Sequence, residues 1–80
     1  MPDKESLIWL IAMFQKGFEK QPLWFSGERD DVSWWWDTDR ARHFPSEQAA
    51  KAMMCSIKGS VGKLQYLKVF PIEEAVVIET

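Results

Sequence analysis

Residues 7–15, LIWLIAMFQ, are apolar at even and odd positions alike. No other segment constrains the fold as tightly. Such a run has no polar face to give to water, so it fits a strand covered on both faces or a buried helix. The helix reading has Asp3 to start it and Gly17 to stop it. The strand reading has Ile8, Trp9, Ile11 and Phe14, together with a credible return. Lys16 to Gln21 is polar and holds a glycine, and Pro22 then precedes a second apolar run, Leu23, Trp24 and Phe25. Two apolar runs joined by a short glycine-containing link read as a β-hairpin, and that is the favoured reading. Pro22 falls at the start of the second strand, where its missing N–H does least harm.

Beyond the hairpin, residues 26–33, SGERDDVS, form a polar loop with a turn near Gly27. Trp34, Trp35 and Trp36 follow, then polar residues to Arg42. Ser46 is the best helix start in the chain, because its hydroxyl can accept a bond from a first-turn N–H. Glu47 suits the positive end of the helix dipole. The helix runs to Gly59, a natural residue for the position after the last turn. Its apolar stripe is Ala49 or Ala50, then Met53, Met54 and Ile57, while Gln48, Lys51, Cys55 and Lys58 lie elsewhere around it. A flexible link, GSVGK, leads to a third strand from Leu64 to Ile72, closed at Pro71. The tail adds a β-prone run, Val76 to Ile78, as an extension or a short edge strand. Residues 1–6 are polar and expected to fray.

The expected architecture is therefore α+β, in the order β-β-α-β: a three-stranded antiparallel sheet with one helix on one face. The whole chain, 1–80, forms a single domain. A domain of this size buries only roughly two-thirds of the surface of its unfolded chain, so it needs a dense core or covalent staples. Cys55 is the only cysteine, so no intrachain disulfide exists, which suits a reducing cytoplasm. The core must come from five Trp, five Phe and one Tyr. Because the strands are apolar on both sides, the face without the helix is expected to stay partly apolar. It is the surface to offer a partner or a second copy in a homodimer.

Net charge is −2, but it is unevenly placed. Residues 28–39 hold Glu28, Asp30, Asp31, Asp37 and Asp39 against Arg29 alone. A basic stretch follows, with Arg40, Arg42, Lys51, Lys58, Lys63 and Lys68 against Glu47, and the end is acidic again. Acidic loops repel phosphate, which disfavours direct nucleic-acid binding there. Leu7 to Phe14 is too short to cross a membrane, which takes about 20 apolar residues. No basic start or cleavage site marks a signal peptide, and a cytoplasmic location is expected.

No constellation for catalysis is legible. One histidine, His43, without neighbouring cysteines makes no zinc site and reads as a half-buried spacer. Cys55 lies mid-helix and reads as a buried structural thiol. The acids lack the spacing of a calcium loop. No metal, cofactor or enzymatic activity is expected, and binding a macromolecule is the remaining role. Alternation assigns Trp34 and Trp36 to the core and aims Trp35 outward as an interface anchor. The expected partner-binding residues are Glu28, Asp30, Asp31, Trp35, Asp37 and Asp39.

Within residues 24–50, WFSGERDDVSWWWDTDRARHFPSEQAA, the pattern of Trp24, Phe25, Gly27, Trp36, Asp37, Ala41, Phe44, Ser46 and Ala49 resembles small phage and prophage proteins. LKVFPIEEA, Leu67 to Ala75, is similar to their closing strand. Among such proteins the chain most resembles anti-CRISPR proteins, in particular an inhibitor of a type I system of subtype I-C. The resemblance implies a protein partner, a subunit of the CRISPR-Cas surveillance complex, and a block on target-DNA recognition or on nuclease recruitment. The acidic loop would then engage a basic DNA-binding groove, with electrostatic complementarity speeding the encounter. Net charge is too low for global DNA mimicry. The rival readings are a prophage accessory or structural module that self-associates, and a nucleic-acid binder using Arg40, Arg42, Lys51, Lys58 and Lys63.

Overall fold

The structure, a computed structural model, describes residues 8–17 and 22–79, the last two by backbone alone. The expected cap at Asp3 and the fraying of residues 1–6 lie outside the described residues. The doubly apolar run is a strand, β1 (Trp9–Gln15), and it turns at Gly17. Gly17 has φ +90°, a conformation that costs other residues steric strain. Next come β2 (Leu23–Phe25), β3 (Trp34–Trp35), α1 (Glu47–Ile57), β4 (Gln65–Pro71) and α2 (Ile72–Glu79). The antiparallel sheet has the order β3-β2-β1-β4, so β1 is central and β3 and β4 are the edges.

Two expectations on element count are corrected. Among the described residues the sheet has four strands, because Trp34 and Trp35 pair with Phe25 and Trp24. A two-residue strand is too short to show alternation. The second correction is larger: Val76 and Val77 lie in helix α2 and not in a strand. Pro71 closes β4, and Glu73 and Glu74 fall in the first turn of α2, where the helix dipole favours acids. Ile72 and Ala75, three apart, turn toward the sheet, with Ala75 fully buried. Tertiary burial outweighs the β-propensity of the valines.

The second sheet face is accordingly less open than its sequence suggests. One face packs Ile11, Phe25 and Phe44 against Ala50 and Ile57 of α1, with Met53, Met54, Leu67 and Val69 at the margin. The other packs Leu10, Ala12, Phe14 and Trp24 against Ala41 and Ala75, with Tyr66, Phe70 and Ile72 around them. β1 feeds alternate residues to both cores, which is why its apolar run has no polar break. Every residue from Leu10 to Phe14 is buried, and fully burying a large apolar side chain contributes about 1.5–3 kcal/mol. Beyond the end of β2, Phe44 exchanges two backbone bonds with Trp9, each 2.9 Å, so β1 stays bracketed on that side.

α1 begins as expected: the Ser46 hydroxyl accepts from the Ala49 N–H at 3.1 Å. Lys51 and Glu47, one turn apart, pair at 3.3 Å. Its end differs. The chain tightens into a 3-10 turn at Lys58–Ser60, with Val61 N–H donating to the Lys58 carbonyl. Gly59 lies within that turn and does not adopt the left-handed conformation.

Candidate functional site

The polar loop at 26–33 is the tip of the β2–β3 hairpin. Ser26 N–H donates to the Ser33 carbonyl at 2.9 Å, and Glu28 and Asp31 exchange two backbone bonds of 3.0 Å. Arg29 and Asp30 cap this tight turn. Only glycine fits at 27, because a Cβ there would fall on the Asp31 carbonyl oxygen. Arg42 holds the hairpin from the side. Its N–H donates to the Phe25 carbonyl at 2.7 Å, and its guanidinium donates to the Gly27 carbonyl at 3.2 Å.

Glu28, Asp30 and Asp31 are all exposed at this tip. Trp35, Asp37 and Asp39 lie at the other end of the hairpin, on β3 and the turn after it. Trp34 points to the α1 face, with its ring edge-on to Phe25 at 5.7 Å. Trp35 takes the opposite side, 37% exposed, with the Arg40 guanidinium 4.3 Å above its ring. Trp36 corrects the alternation argument. The strand ends at Trp35, the chain bends, and Trp36 is left 77% exposed instead of entering the core. Asp37 is half-buried, and its Oδ1 is enclosed without a hydrogen-bond partner. Asp39 is exposed in the 3-10 turn Thr38–Arg40. The hairpin and the turn after it thus carry the six residues singled out from sequence, in two separate groups, one at the tip and one at the far end. Trp36 and Arg40 join the second group. The signal for Arg40 was its position, close enough along the chain to fold back over a tryptophan.

Two further expectations fail. Cys55 is exposed, since it lies off the apolar stripe of α1. His43 is exposed as well, between the inward-facing Arg42 and Phe44. Among the described residues, no three His, Cys, Asp or Glu side chains converge as a metal site. A shallow open groove of about 490 Å³ runs between Arg29, Arg42 and Phe44 on one side and Ala49, Met53 and Ser56 of α1 on the other. Among the described residues, no helix is long and apolar enough to cross a membrane.

No family model matches the chain, and neither a curated protein nor a solved structure matches it.

Proposed function

We propose that the chain is a protein-docking module that binds through the far end of the β2–β3 hairpin and the turn that follows it. The observation that carries this reading is Trp36. A ring 77% exposed on a small folded domain, beside half-open Trp35 and flanked by Asp37 and Asp39, has the chemistry of an interface anchor. The acids favour a basic partner surface. Several basic side chains are already engaged within the chain: Arg40 on Trp35, Arg42 on Gly27, and Lys51 on Glu47. That favours a protein over a phosphate backbone.

The specific form of the proposal rests on the resemblance of residues 24–50 to phage inhibitors. The partner would be a subunit of a type I CRISPR effector, and binding would stop target-DNA recognition. The test is a pull-down and an interference assay with the native chain, Trp36→Ala and the charge reversal Asp39→Lys, both at exposed positions of this surface. Both variants should keep the native circular dichroism and lose capture of the effector. Full inhibition by the folded variants would remove this surface from consideration. Docking to another protein without any effect on interference would instead make the chain a prophage accessory module.

A further inference from the structure

The opposite edge of the sheet has a self-complementary backbone. Lys16 N–H donates to the Leu64 carbonyl and Ile72 N–H to the Ile8 carbonyl. Strand β4 pairs with β1 in the register Trp9 with Pro71 through Gln15 with Gln65. Hydrogen-bonded pairs alternate along an antiparallel ladder. The even residues Tyr66, Lys68 and Phe70 therefore spend their backbone groups on β1, and the odd residues point outward. Gln65 N–H is used by the Gly62 carbonyl, and Pro71 has none. What faces outward is the N–H and C=O of Leu67 and Val69, with the carbonyls of Gln65 and Pro71. Side chains tell the same story. Central β1 is buried from Leu10 to Phe14, whereas no residue of the apolar β4 is fully buried.

We propose that β4 pairs antiparallel with β4 of a second copy of this chain, on a two-fold axis at Leu67. An open strand edge is a template for another strand, and axes at Tyr66, Leu67, Lys68 and Val69 are geometrically available. An axis at Tyr66 sets Val69 opposite Lys63, in the turn before β4, where no strand continues the ladder. An axis at Lys68 sets two lysines directly opposite each other, which is destabilising. An axis at Val69 runs the ladder through Pro71 and into Ile72, where α2 starts. An axis at Leu67 confines pairing to residues 65–69. Leu67 then exchanges two bonds with its symmetry mate, and each Val69 N–H meets the other copy's Gln65 carbonyl. Tyr66 lies opposite Lys68, repeating between copies a contact already made within one, where the ammonium is 5.9 Å from the ring. The second copy also covers the half-open Leu67, Val69, Tyr66 and Phe70 on both sides of the sheet. Lys68 and Pro71, residue types that natural edges use against promiscuous pairing, here leave one register open. The two β3 edges end up at opposite extremes of an eight-stranded sheet, so this assembly does not depend on what the hairpin binds.

The experiment is sedimentation equilibrium of the full chain over a concentration series. The mass should rise from one chain to two. Leu67→Pro removes an N–H that the fold itself does not use, so it should give single-chain mass with native circular dichroism. Register is read separately in a Cys55→Ser background, with cysteine placed at position 67, 68 or 69 and then oxidised. Leu67→Cys should form the disulfide-linked dimer, since opposed hydrogen-bonded residues have Cα atoms about 5.5 Å apart, within disulfide range. Single-chain mass at every concentration, a dimer that folded Leu67→Pro leaves intact, or preferential cross-linking at Lys68→Cys or Val69→Cys would overturn the proposal.

Discussion

The two faces of the sheet are covered by different means. One is closed by α1, a helix with its own cap, its own ion pair and an apolar stripe. The other is closed by smaller parts: Ala41 after the 3-10 turn, and Ala75 of an eight-residue helix whose Val76 and Val77 stay in water. Isolated helices of that length are marginal, so α2 exists because the sheet gives Ile72 and Ala75 somewhere to go. The α1 face is thus built from a locally encoded element, and the α2 face from an element its surroundings create.

Three substitutions test that contrast. Phe25→Ala on the α1 side deletes a fully buried ring between Phe44 and Trp34. It should cost about 3–5 kcal/mol, read as a drop in the urea midpoint, and in a domain this small should leave little folded protein. A loss under about 1 kcal/mol would mean that the α1 side is not the main core. Ala75→Leu on the α2 side forces a large side chain into a site with no free surface. The expected loss is about 1–3 kcal/mol, with faster amide exchange confined to α2 while α1 keeps its protection. Exchange rising equally in both helices would show that the faces are one cooperative unit. Ser46→Ala removes the cap of α1 and should cost about 1 kcal/mol. No measurable change would mean that α1, like α2, is held by packing alone.

The same contrast sets what could be read in the sequence. β1, its hairpin return, the Ser46 cap and the Met53–Met54–Ile57 stripe were legible, because each is a local pattern matched to a local structure. α2 was not, since valines at 76 and 77 signal strand and only the position of Ala75 beneath the sheet makes a helix. β3 was hidden because Trp34 and Trp35 find partners across the hairpin and not along the chain. Within the candidate site, the outward side of Trp35 followed from alternation. The exposure of Trp36 did not, because it depends on where the strand stops. Cys55 and His43 were misplaced by weighing residue type above position. The helical wheel already put Cys55 off the apolar stripe.

The pairing of β1 with β4 also has a consequence in time. The central strand is synthesised before its longest partner, which leaves the ribosome only after the hairpin, the tryptophan turn and α1 have been made. Until then β1 is an apolar ribbon with one side unclaimed. Closing that side means joining segments far apart along the chain, a slow step whose cost is mostly chain entropy. During synthesis the nascent protein must therefore shield its own centre, and any chain stalled before Gln65 should be a target for chaperones.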